Sequence, residues 1–271
     1  EFRRVLFRSA FQNVVLDYPL ARAMADGFVK EPAVVTRKDF DPSGMSESEL
    51  ERLKLEDGVR LHELAKVELE TYARESGQPR VKPFVLVIAR DTTHAAELKD
   101  VIESDEFFEG RYRGKVIQVD SSKTGVEKDD VVERLLRVER ADEPPESGIH
   151  GNRLKEGWDV TNLYTIVPLR AASARTLVEQ SIGRGLRLPY GRRTGVAPVD
   201  RLTIVAHDRF QEIVDEANRP GSPVRLTALV LTPEQLSEQR EVVEAAPLVD
   251  VRLGRGEAPP PPPAPSPPAP S

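Results

Sequence analysis

The 271-residue sequence contains no cysteine, which excludes a disulfide scaffold and thiolate-held metal. Histidine is nearly as scarce. His62, His94, His150 and His207 stand far apart, with no H-x-x-x-H pair to seat zinc, so no metal site is expected. No run of ~18 apolar residues occurs, so nothing reads as a membrane-spanning helix and a cytoplasmic setting is expected. A G-x-x-x-x-G-K-[ST] loop, whose backbone cradles nucleotide phosphates, is also missing. Ser121–Gly125 (SSKTG) imitates its end but lacks the first glycine, and has no Ser-x-x-Lys partner for a β-lactamase-like site. Neither an acidic D-E-x-H or D-E-x-D box for magnesium nor a P-D…E-x-K arrangement is visible.

Charge is plentiful, at 31% of residues, and the net value of −6 argues against binding DNA by bulk charge. Its distribution is uneven. Between Arg170 and Arg201 lie Arg170, Arg175, Arg184, Arg187, Arg192, Arg193 and Arg201, against only Glu179 and Asp200. Planar guanidinium groups suit bidentate phosphate recognition better than ammonium groups do. A solvated basic face is the plain alternative.

The two ends contribute no core. Residues 1–9 (EFRRVLFRS) read as a cloning or assembly scar, because they can be encoded by a string resembling a common sequencing-library adapter. On that reading the native chain begins upstream. Residues 256–271 are so rich in proline that an extended, disordered linker or tail is expected, with an SH3-like ligand as the alternative. Residues 231–255 form a C-terminal extension.

Between the ends, Val14–Leu16 make a short apolar run, a helix is expected near Pro19–Asp26, and Ala33–Thr36 read as a strand. Ser46 or Ser48 can cap a long helix through Tyr72, with Leu50, Leu53, Leu61, Leu64 and Val67 as its apolar stripe. Gly77 stops it. From residue 82 the pattern alternates. Phe84–Ala89 is an uninterrupted apolar run, as in a strand buried on both faces of a parallel sheet. Asp91–Thr93 offer caps for a helix with Ala95, Leu98 and Ile102 inward. Val116–Val119, Leu163–Val167 and Leu202–Ala206 read as further strands. Val131, Leu135 and Val138 mark one more helix, residues 173–182 another, and Asp208 can cap a last one reaching Asn218. Repeated βα units specify an α/β domain over residues 82–230, preceded by a segment over 10–81. Ligands are then expected at the carboxyl ends of the strands.

Two segments stand out. The first is LKEGWDVT (Leu154–Thr161); the second is EQSIGRGLR (Glu179–Arg187). In the second, Gln180, Gly183, Arg184 and Arg187 recur at helical spacing. Gly183 and Gly185 remove side chains beside two arginines, which lets a polyanion approach the backbone. Equally, Gly-Arg-Gly can simply end a helix. Trp158 could stack on a base or anchor packing.

Together, and in this order, the two segments resemble motifs V and VI of superfamily 2 helicases and translocases. The form KEGWDVTNLYTIVPLRAASARTLVEQSIGRGLRLPYG most resembles the restriction subunit of type III restriction–modification enzymes. The match is dense from Lys82 to Asn218 and extends more loosely back to about Asp17. It implies a RecA-like parallel sheet flanked by helices, the second domain of a motor, with a long helical insertion before it. In the resemblance, Arg184 and Arg187 match the motif VI arginines that reach the γ-phosphate, and Gln180 the glutamine beside it. Gly157, Asp159 and Gly183 match positions lining the ATP cleft. Thr161, and Thr92 or Thr93 in the motif IV region, match nucleic-acid contacts. Gly148 and Gly151 stand where the family has an apolar strand.

The resemblance further implies ATP and Mg2+ as cofactors of the complete enzyme, neither held stably by this chain alone. Implied partners are double-stranded DNA, an N-terminal RecA-like domain carrying the Walker loop, and a DNA methyltransferase subunit. Two other readings stay open: a helicase of repair or defence without a nuclease, and a stand-alone module that binds nucleotide or DNA without hydrolysis.

Overall fold

The computed structural model describes Tyr18 and residues 20–119, 133–135, 137–140, 142–151, 160–169, 185–219 and 225–233. All of these fall within one unit, Glu1–Arg240. Among the described residues the strands are β1 (Glu31–Arg37), β2 (Phe84–Ile88), β3 (Val116–Val119), β4 (Ser147–His150), β5 (Leu163–Pro168), β6 (Arg201–Val205) and β7 (Thr227–Leu231). They make one sheet in the order β3-β4-β2-β5-β6-β1-β7, and every neighbouring pair is parallel. The α-helices with bounds among the described residues are α1 (Leu20–Ala25), α2 (Glu47–Ser76), α3 (Thr92–Glu103) and α4 (Phe210–Ala217).

Central β2, FVLVI, is buried at all five positions. Its alternation sorts the core into two layers. Phe84, Leu86 and Ile88 join Met24 of α1 and Ile213 and Ala217 of α4, together with Leu135 and Val138. Val85 and Val87 face the other way, against Leu55 and Val59 of α2 and Ala95, Leu98 and Ile102 of α3. Each fully buried aliphatic or Phe side chain contributes about 1.5–3 kcal/mol. At the sheet's edge β7 alternates instead, leaving Val230 52% exposed.

Between the two possible caps of α2 the structure selects Ser46. Its hydroxyl accepts from the Glu49 amide at 3.3 Å, and the Glu49 carboxylate accepts from the Ser46 amide at 2.8 Å. Gly77 ends the helix in the left-handed conformation, φ 69°. The expected stripe of Leu50, Leu53, Leu61, Leu64 and Val67 is only half-buried. The buried seam is instead Lys54, Leu55, Asp57, Gly58, Val59, His62, Leu69 and Ala73. Counting apolar residues misses it because polar members of the seam find buried partners. Gly58 explains how α2 lies so close to the sheet: a Cβ there would sit 2.4 Å from Val167 Cγ2.

Two other expectations change. The sheet draws on both sides of the residue-82 boundary, since β1 sits between β6 and β7. Asp208 does not cap α4; it pairs with Lys54, and α4 starts without a side-chain cap. Gly148 lies within β4 (SGIH), where its missing side chain makes room for the Phe84 ring, 2.9 Å from an ideal Cβ. Val14–Leu16, Pro19, Val131 and residues 173–182 lie outside the described residues.

Candidate functional site

Thr161 and Arg187 share the amino edge of the sheet. Thr161 stands just before β5. Leu186 accepts from the Lys30 amide at 2.7 Å, so Arg187 follows a residue fastened beside the start of β1. Arg187 itself is exposed, between buried Leu186 and Leu188. Arg193 stitches this stretch down, its Nε donating to Val29 O and its Nη2 to Met24 O, both at 3.0 Å. Asp200 closes the turn below, accepting from the Thr194 and Gly195 amides at 2.8–2.9 Å. Of the arginine-rich stretch, then, Arg187 and Arg192 are exposed residues, while Arg193 bonds main-chain carbonyls. Gly185 has a packing reason: a Cβ there would come within 2.9 Å of Leu163 and Leu202.

Thr92 and Thr93 stand at the opposite, carboxyl edge, in the first turn of α3. Asp91 caps that helix, accepting from the His94 amide at 2.9 Å. Thr93 is exposed; half-buried Thr92 presents its carbonyl to Gln118 Nε2 at 3.2 Å. Gly151 packs against this turn so closely that a Cβ would lie 2.0 Å from the Asp91 carbonyl carbon. Because β2 and β5 pair from Phe84↔Leu163 to Ile88↔Pro168, Thr161 and Thr92 are separated by at least the length of a strand, about 17 Å. The carboxyl-end expectation applies to loops leaving strands, whereas Thr161 and Arg187 belong to chain approaching β5 and β6.

Thr161 is also already engaged. Its amide and its hydroxyl both donate to Glu139 Oε1, the hydroxyl at 2.8 Å. A carboxylate in that place repels a phosphate, so the structure gives Thr161 an anchoring role at the end of the LKEGWDVT run. Gln180, Gly183, Arg184, Gly157, Asp159 and Trp158 lie outside the described residues.

Sequence reading missed two polar clusters on α2. Asp57 is fully buried and accepts from Arg37 at 2.6 and 2.7 Å, from Arg60 at 2.8 Å and shares a 2.9 Å contact with His207. Burial alone would raise its pKa, but the hydrogen bonds from Arg37 and His207 and their charges hold it at about 2. The second cluster brings together three side chains of metal-ligating type, one imidazole and two carboxylates: His62, Glu63 and Glu146. Lys66 reaches both carboxylates, Lys115 meets Glu146 at 2.8 Å, and Tyr112 donates to Glu63. Burial would raise Glu146, yet His62 and the two lysines hold it well below the ordinary carboxylate range. The lysines already supply the positive charge a cation would bring. A cleft of about 300 Å³ between α2 and β7, lined by Leu61, Leu64, Thr165, Arg201 and Thr203 among others, includes none of the residues expected to contact ATP or nucleic acid.

No family model matches the chain. The Res subunit of the type III restriction–modification enzyme EcoPI, from Escherichia phage P1, is 32% identical over 102 residues, covering 32% of this chain and 10% of that protein. The EcoP15I Res subunit of Escherichia coli is 26% identical over 147 residues, covering 41% and 15%. The chain resembles the type III Res subunits. It spans only about a tenth to a seventh of the length of these relatives. The fragment structure of an HsdR subunit of a type I restriction enzyme from Vibrio vulnificus YJ016 superposes with a TM-score of 0.50 at 20% identity, covering 86% of this Res-like chain and 42% of that one. The fold is therefore RecA-like, as the all-parallel sheet with helices on both faces already indicates.

Proposed function

We propose that this chain is the second RecA-like half of an ATP-dependent DNA translocase of the restriction-subunit kind. The observation that carries the reading is Arg187, an exposed arginine that follows the hydrogen-bonded Leu186 at the edge where the LKEGWDVT run also ends. An arginine so placed fits the oxygens of a γ-phosphate held on a facing domain. Mg2+ and the phosphates would be held by that N-terminal RecA-like domain, because the present sequence offers neither a Walker loop nor an acidic box.

In this reading Arg187, with Arg184, meets the charge that develops on the γ-phosphate, an effect of ~10³–10⁵ in rate. The cleft must close for the arginines to arrive, which couples hydrolysis to movement along double-stranded DNA. Thr92 and Thr93, at the positive end of α3, face the nucleic acid from the other edge. DNA cleavage, and pairing with a methyltransferase subunit, would fall to other parts of the assembly.

The purified chain should show no DNA-stimulated ATP hydrolysis by itself. In the complete enzyme, Arg187→Ala should abolish turnover while nucleotide binding, followed with a fluorescent ATP analogue, stays largely intact. Turnover by the chain alone, or unchanged turnover in the variant, refutes the reading.

A further inference from the structure

The two candidate segments meet at a residue that neither contains. Lys30, just before β1, has no exposed surface. Its ammonium donates to Thr161 O at 2.6 Å and to Leu163 O at 2.8 Å, and it lies 4.0 Å from the centroid of the Tyr164 ring. Two donors are thus spent on carbonyls, and the ring face adds a cation–π contact. The backbone amide of the same residue holds Leu186 O, immediately before Arg187.

The carbonyls it takes lie at an irregularity. The β2–β5 register shifts between Phe84 and Val85, so Tyr164 is an extra residue at the start of β5. Such a bulge disturbs the ladder and re-aims the chain. Lys30 satisfies main-chain oxygens there that apolar neighbours could not.

Energy makes the choice of residue notable. Among the described residues no carboxylate lies within 4.0 Å of this ammonium, although Glu139 and Asp200 act on it from farther off. Burial pushes its pKa well below the ordinary lysine value. A buried charge costs several kcal/mol, and an apolar side chain of similar volume often serves stability as well or better. Packing alone therefore does not call for lysine here.

We propose that Lys30 is a positioning residue that fixes Arg187 relative to the end of the LKEGWDVT run by tying Thr161, Leu163 and Leu186 to one point. The inference rests on the functional reading above. A misplacement of about 1 Å away from the chemistry can lower a rate by ~10²-fold. Accordingly, in the complete enzyme, Lys30→Met should lower kcat at least about tenfold, leave KM for ATP within about twofold, and melt no lower than the parent.

Lys30→Gln, neutral but still carrying two donors, should retain clearly more turnover than Lys30→Met. Parental kcat in Lys30→Met overturns the assignment. If Lys30→Met does not fold, Lys30→Gln decides: turnover near the parent's supports it, and turnover as low as that of Arg187→Ala overturns it. Arg187→Ala is run alongside so that the two failures are told apart. Unchanged turnover there removes the functional reading itself, whereas loss there with parental Lys30→Met removes only Lys30.

Discussion

Gly58→Ala sets two effects of known size against each other. In a helix interior alanine is favoured over glycine by about 1 kcal/mol, so propensity alone makes the substitution stabilising. In the structure, however, the new Cβ would lie 2.4 Å from Val167 Cγ2. Carbon atoms in contact settle at about 3.5–4.0 Å, so something must move by more than 1 Å. Val167 is 1% exposed and β-branched, which leaves it little rotamer freedom. Overpacking of this kind costs about 1–3 kcal/mol, enough to outweigh the propensity gain and leave a net loss of about 1 kcal/mol. Removing Cγ2 reverses the sign. In a Val167→Ala background the nearest remaining Val167 atom, its Cβ, is an ordinary 3.7 Å away. There Gly58→Ala should stabilise by about 1 kcal/mol, giving a coupling of about 2 kcal/mol across the cycle. Urea denaturation of the four proteins, followed by circular dichroism, measures it. The same effect of Gly58→Ala in both backgrounds refutes the claim that glycine is there for close approach to β5.

Further tests address the clusters and caps. Asp57 is held at about 2 against 3.8 for the free side chain, so its contribution is present above about pH 4 and lost as pH falls through 2. At 1.36 kcal/mol per pH unit this is about 2 kcal/mol. Asp57→Asn should lower neutral stability by about that much and flatten the decline of the urea midpoint between pH about 4 and 2; an unchanged acid limb removes the assignment. Ser46→Ala breaks one half of the capping box on α2 and should cost about 1 kcal/mol. A urea midpoint indistinguishable from the parent's would show that the cap contributes nothing. Gly151→Ala drives a Cβ into main chain, 2.1 Å from Asp91 O and 2.5 Å from Thr92 N, where no side chain can give way. It should cost more than about 3 kcal/mol and speed hydrogen exchange at the His94 amide; parental melting contradicts the packing at that turn.

Periodicity made β2, β5 and β6 legible in the sequence, because strands buried on both faces need continuous apolar runs. Capping chemistry did the same for α2 and α3, where Asp91 and Ser46 act as their residue types suggest. What could not be read depends on partners far away in sequence. The buried seam of α2 hides Asp57 and His62, which look like solvent-facing residues until Arg37, His207 and Glu146 are brought to them. The glycines invert in the same way. Gly148, Gly151 and Gly185 look like weak points or anion openings, yet each is a place where a Cβ would meet another element. Lys30 gives no local signal at all, since a lysine before a strand is ordinarily solvated.

The division of the candidate residues between two edges bears on how the proposed motor would transmit force. Arg187 and Thr161 stand where the strands begin, Thr92 and Thr93 where they end, and β2 and β5 run side by side between them. Phe84, Leu86, Leu163 and Ile166 fill that connection with at most 1% of their surface exposed. Close-packed interiors of this kind carry displacement instead of absorbing it. A shift imposed at the amino edge by nucleotide would therefore reach the carboxyl edge as rigid movement of strands. The place where it could be softened is the bulge at Tyr164, and that is where Lys30 is fastened. On this argument the Lys30→Met enzyme should hydrolyse ATP slowly and also step less far for each ATP it does hydrolyse. Measuring turnover and translocation on the same DNA separates the two: a reduced rate with parental coupling would confine Lys30 to positioning Arg187.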